Sequence, residues 1–213
     1  MEKPVRKPLL LICGVLVLAV AAFLVFGRDG TPGDASPEAG FARDMATHHA
    51  QAVDMAFIVR DKGPAKEIRS LAFDIINTQA NQRGMFQGWL QQWQLTQATD
   101  QRPMAWMSGH GHGAAPAATV TAGMMPGMAS PEELTKLKQA EGTQAEVLFL
   151  QLMIRHHEGG VEMAEGLLKL STRSEVVSMA QKIVDGQTGE IKLMTELLKQ
   201  RGAQPYPSIL KTS

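Results

Sequence analysis

Apolar side chains return every three or four positions along most of this chain, the spacing of helices that bury one face. Between Ala65 and about Leu95 the stripe is Ile68, Leu71, Ala72, Ile75, Ile76, Phe86 and Leu90. Ahead of it, Ser36-Pro37-Glu38 reads as an N-cap followed by proline at the first helical position, predicting a helix over 37–61 that Lys62-Gly63-Pro64 ends. Further on, Ser130-Pro131-Glu132-Glu133 and Thr143-x-x-Glu146 both read as capping boxes, with Gly142 between them as a stop. They predict a short helix over 131–141 and a long one over 144–170. A turn at Ser171–Ser174 then leads to a helix over 175–201, closed by Gly202. No stretch shows the alternation of a strand.

The pattern is written twice. Met45–Ala56, MATHHAQAVDMA, recurs 108 residues later as Met153–Ala164, MIRHHEGGVEMA, and the register continues through Phe41/Phe149, Glu67/Glu175, Ala72/Ala180, Ile75/Ile183, Gln79/Gln187 and Leu90/Leu198. The chain is an internal duplication. Two helical hairpins, 37–98 and 130–201 with its short leading helix, each carry an apolar stripe that neither can bury alone, so a four-helix bundle is the expected fold. Residues 99–129 between them are rich in Gly, Ala, Met and Pro and show no period, which predicts a mobile connector. Residues 27–36 form a linker and 202–213 a tail.

The front of the chain differs. After a basic segment, 1–8, with Lys3, Arg6 and Lys7, residues 9–26 are uncharged and apolar, long enough to just span a hydrocarbon core of roughly 30 Å. A cleavable signal peptide competes, because Ala19-Val20-Ala21 fits a small-x-small cleavage pattern. The apolar run continues through Phe26, which favours an uncleaved signal anchor. The basic residues ahead of the span place the N-terminus in the cytoplasm and everything after Arg28 outside it. Ile12 before Cys13, the sole cysteine, argues against lipidation.

Net charge is zero over 213 residues, and without residues 1–28 it becomes 17 basic against 20 acidic side chains. That balance gives no electrostatic reason to expect nucleic acid.

Chemistry concentrates in the repeated segment. At about 100° per residue, Met45, His48, His49, Ala52 and Met55 share one face, and Asp54 falls on the other. Repeat two presents Met153, His156, His157, Gly160 and Met163 in the same places, leaving Glu162 opposite. Gln79 and Gln187, on the apolar faces of the second helices, are natural hydrogen-bond partners for the imidazoles and would fix which ring nitrogen stays free. The remaining histidines, His110 and His112, lie in the connector with Met104, Met107, Met124, Met125 and Met128.

Thioether and imidazole without thiolate suit Cu(I) best, with Cu(II) accepting the imidazoles. Zinc more often recruits Cys or carboxylate. A di-iron centre calls for inward Glu and Glu-x-x-His pairs, which neither repeat contains. No nucleophile with its base is recognisable, so binding rather than catalysis is expected.

The repeated His-His-x-x-x-Val-x-Met-Ala, the Met-Pro-Gly-Met-x-Ser-Pro-Glu-Glu-Leu at 125–134 and the Phe-Leu-x-Leu-Met-Ile-x-His-His-Glu-Gly from Phe149 resemble the bacterial family called domain of unknown function 305, over about residues 37–201. That resemblance implies a ferritin-like, exported fold and, through its CopM-like members, copper binding and tolerance. Carried over by position, it implies Met45, His48, His49, Met55, Met153, His156, His157 and Met163 as ligands, with His110, His112, Met124, Met125 and Met128 as accessory candidates. Gln82 stands where repeat two has Glu190, a departure that sets the two sites apart.

The expectation is a membrane-anchored, extracytoplasmic all-α protein that sequesters or transfers copper, with a homo-oligomer or a metal-transfer partner left open. The alternative is a structural or interaction module whose histidines are core residues; a ferritin-like iron oxidase is a third.

Overall fold

The computed structural model describes Ile12, Leu16 and residues 30–107 and 124–210. The chain divides into two compact units, 1–32 and 33–213. The expected span at 9–26 lies outside the described residues except for Ile12 and Leu16, both helical. Among the described residues, no helix is long and apolar enough to cross a membrane.

The second unit is all-α among the described residues, as the periodicity requires. Helices α1 (Pro37–Asp61) and α2 (Lys66–Gln92) form the first hairpin, and α4 (Gly142–Leu168) and α5 (Ser174–Gln200) form the second, preceded by α3 (Pro131–Gln139). Ser36 caps α1 by accepting from the Ala39 amide, 3.2 Å. Ser130 and Glu133 form a reciprocal capping box on α3. Gly63 turns the chain between α1 and α2 with φ of 65°, where a side chain would be strained.

The second expected capping box does not form. Helix α4 begins at Gly142, ahead of Thr143, with Glu141 at the cap and no side-chain cap bond. Glu146 has a tertiary role instead: it accepts from the Ala65 amide at 2.7 Å and from Arg201. Its carboxylate therefore ties the α1–α2 turn and the end of α5 to α4. A nearly buried, multiply bonded carboxylate serves better there than at a solvated helix end.

Helix α1 packs on α2 and on α4, and α4 packs on α5. The core is divided in two. One apolar cluster joins Met55, Val59, Ile75, Phe149, Met153 and Met194; the other joins Phe41, Met45, Phe86, Leu90, Met163 and Ile183. Each takes one half of every long helix. Burying a side chain of this size contributes roughly 1.5–3 kcal/mol, so each cluster is a substantial part of the fold. Between them, on all four helices, lies a layer of polar residues.

The connector is not loose at its ends. A 3₁₀ turn at Ala105–Met107 docks on α1, where Asp44 accepts from the Met104 amide and the Trp106 indole, each at 2.8 Å. Burial raises the Asp44 carboxyl above its ordinary range. At the other end Met125 is buried in the second apolar cluster. These methionines thus have a packing reason that composition concealed.

Candidate metal centre

The polar layer contains His48 and His49 from α1, Gln79 and Gln82 from α2, His156 and His157 from α4, and Gln187 and Glu190 from α5. All four imidazoles are fully buried. His48 and His156, the same position in the two repeats, stack with ring centroids 3.7 Å apart and planes inclined by 32°.

Three rings have one defined bond each. His48 Nε2 donates to the carbonyl of Pro126 at 3.1 Å. His49 Nε2 meets Gln82 Oε1 at 2.7 Å. His157 Nε2 donates to Glu190 Oε2, also at 2.7 Å. The expected partners were Gln79 and Gln187; both are buried in the layer, yet their amides bond to neither histidine. The residues three positions further along the same helices make the bonds. Each lies nearer the helix surface, and its side chain reaches inward to the ring.

Burial disfavours the imidazolium form. It lowers His48 to about 4 against the pull of Pro126, and His49 to about 3 with His48 adding to the effect. It lowers His156 well below its ordinary value, with the neighbouring His48, His157 and His49 contributing. These three rings are neutral at physiological pH, the state in which imidazole ligates metal.

Five ring nitrogens find no protein partner: Nδ1 of His48, His49, His156 and His157, and Nε2 of His156. Buried polar atoms are nearly always bonded, so a layer with this many free lone pairs and N–H groups fits a ligand that accepts electron pairs from nitrogen. Among the described residues no three His, Cys, Asp or Glu side chains converge to hold an ion by themselves. The donor set therefore fits an ion content with few nitrogens or with added thioether, as soft Cu(I) is, better than four-coordinate zinc. Met45, Met55, Met153 and Met163 are fully buried in the two apolar clusters flanking the layer, one from each repeat in each cluster.

A short strap covers the layer. Residues Met125–Met128 cross α4 where two glycines allow close approach: a Cβ on Gly159 would meet the Pro126 carbonyl oxygen at 2.0 Å, and one on Gly127 would meet the Arg155 oxygen at 2.3 Å. The strap is held by Gln51, which bonds both the amide and the carbonyl of Ala129, and by Arg155, which donates to the Met128 carbonyl at 3.4 Å and also pairs with Glu133. Of the accessory candidates, Met125 is buried and Met124 and Met128 are half-buried, while His110 and His112 lie outside the described residues. Sequence reading missed Pro126, whose contribution is a backbone carbonyl. It noted the Gln82/Glu190 difference without seeing that both residues bond histidine.

Duplicated hairpins that meet across a buried histidine layer define a class of helical bundle. The chain belongs to the family described as domain of unknown function (DUF305), whose family model matches residues 38–198. A DUF305 protein from Streptomyces coelicolor, described as secreted, is similar at 45% identity with a TM-score of 0.74, over 82% of this chain and 99% of that one. A DUF305 fragment from Deinococcus radiodurans is 33% identical with a TM-score of 0.62, over 77% and 96%. CopM in its Cu(II)-bound form is 29% identical with a TM-score of 0.57, over 78% and 97%, and in its Cu(I)-bound form 27% identical with a TM-score of 0.56, over 78% and 96%. No curated protein matches the chain.

Proposed function

We propose that this chain is an extracytoplasmic copper-binding protein that sequesters the ion or hands it on. The observation that carries the reading is the buried layer of histidines whose ring nitrogens lack protein partners, three of them held neutral by burial. Its support from outside is the likeness to CopM in copper-bound forms. His48, His49, His156 and His157 are the nitrogen donors, and Met45, Met55, Met153 and Met163 supply thioether from the adjacent layers. Bound copper would accept lone pairs from these groups; the chain's part is to present neutral imidazoles and exclude water.

Export is supported by the S. coelicolor relative, and attachment to the membrane by the apolar run at 9–26 behind Lys3, Arg6 and Lys7. Copper rather than a di-iron site is supported by the carboxylates: Glu190 alone bonds a histidine of the layer among the described residues, too few for a di-iron site.

The test is competitive Cu(I) titration of the full chain under anaerobic conditions, beside a variant with all four histidines changed to Ala. Binding that the variant loses while keeping its helical spectrum supports the reading. Absence of binding by the native chain refutes it and favours a structural module with core histidines.

A further inference from the structure

We propose that the two halves of the histidine layer are unequal, and that Glu190 is a positioning residue that makes His157 the stronger donor, so that copper is held more tightly on the second repeat. This rests on the copper reading above.

The asymmetry begins with hydrogen-bond chemistry. A carboxylate can only accept, so Glu190 Oε2 at 2.7 Å requires the proton of His157 on Nε2 and leaves Nδ1, buried and without a protein partner, with its lone pair free. Gln82 makes the same contact to His49 at the same length, but an amide can rotate to offer N–H instead of C=O. His49 can therefore carry its proton on either nitrogen, and part of its population withholds Nδ1 from a ligand. The carboxylate also fixes the orientation of the ring whose proton it accepts, as in carboxylate–histidine–metal arrangements. Its negative charge, 26% exposed and thus partly desolvated, compensates the charge of an incoming cation; Gln82 supplies none.

A second difference between the repeats falls beside the same rings. Gly160 occupies the position of Ala52, and a Cβ there would stand 2.2 Å from Gln187 Oε1. The second repeat thus lets a buried amide lie against the backbone of α4 next to His156 and His157, where the first repeat places a methyl group. Glycine and glutamate together distinguish the half that contains His157.

The test compares the full native chain with Glu190→Gln and Gln82→Glu, both close to isosteric. Nitrogen-15 NMR of the metal-free proteins reads the tautomers, and anaerobic competition with a chromophoric Cu(I) chelator reads affinity. The expected result is a single Nε2–H tautomer for His157 in the native chain, a mixture in Glu190→Gln, and an affinity lowered about 10–100-fold, the usual cost of losing such a partner. Gln82→Glu should lock His49 in the same tautomer and raise the weaker affinity. A His157 ring that is mixed, Nδ1-protonated or doubly protonated in the native chain overturns the proposal. So does Cu(I) affinity unchanged in Glu190→Gln while the four-histidine variant loses binding, an outcome that leaves the copper reading standing. Failure of the native chain to bind Cu(I) overturns both.

Discussion

Replacing Gly159 with Ala should unseat the strap that covers the histidine layer. The added methyl carbon would lie 2.0 Å from the Pro126 oxygen, 2.5 Å from its carbonyl carbon and 2.9 Å from the Gly127 nitrogen. All three are backbone atoms, so no side-chain rotation relieves the overlap. Non-bonded heavy atoms settle near 3.5–4.0 Å, and the strap must retreat by about 1 Å or more. The His48 bond to Pro126, 3.1 Å in the native fold, cannot survive that movement. Forced overpacking costs about 1–3 kcal/mol, and a buried imidazole N–H left without an acceptor about 1–3 kcal/mol more. Against this, Ala in place of Gly inside a helix gains about 1 kcal/mol. The net expectation is a loss near 3 kcal/mol, read as a lowered urea midpoint with an unchanged slope. Gly186→Ala is the reference: it lies exposed in α5, its Cβ would meet nothing within 4 Å, and it should stabilise by about 0.5–1 kcal/mol. If Gly159→Ala is as stable as Gly186→Ala, the close packing of strap and helix is refuted.

Other outcomes follow from the same geometry. The metal-free protein should be fully stable with respect to His48 and His49 above pH 6.5 and weaken as pH falls toward their folded values, about 4 and about 3, because the unfolded chain takes up protons that these buried rings refuse. Each ring contributes about 1.4 kcal/mol per pH unit across that window; a melting temperature unchanged between pH 7.5 and 5 would contradict it. Glu146→Ala removes a partner from Arg201, whose side chain is 8% exposed, and an acceptor from Ala65, and should cost on the order of 3–5 kcal/mol in chemical denaturation. A loss under 1 kcal/mol would show the pair to be solvated. Asp44→Ala should release the 3₁₀ turn by removing the oxygen that accepts from both Trp106 and Met104, seen as a red shift of indole fluorescence; an unchanged spectrum would refute that anchoring.

The helices were legible because their apolar period and end signals agree. Pro37 and the Ser130 cap placed two starts correctly, and Gly63 marked a turn. Thr143-x-x-Glu146 misled because the motif records only residue types, and Glu146 had a stronger use in tertiary contact. The burial of the four histidines followed from their angular position on α1 and α4. Their hydrogen-bond partners did not, since angular position alone favoured Gln79 and Gln187 over the longer reach from Gln82 and Glu190. The strap was opaque for a different reason: its contact to His48 is a main-chain carbonyl, and the segment looked like linker because the glycine that permits close packing is the same residue that marks loops.

The stacking of His48 on His156 sets a residue against its own duplicate, the relation found at the two-fold axis of an isologous dimer. In such a dimer every substitution enters twice, once on each side of the axis. Here the hairpins share one chain, so one side can change while the other stays as it was. Gln82 and Glu190, like Ala52 and Gly160, are changes of that kind. Covalent joining of the halves gives the centre a front and a back, a polarity that no symmetric pair of identical subunits can encode.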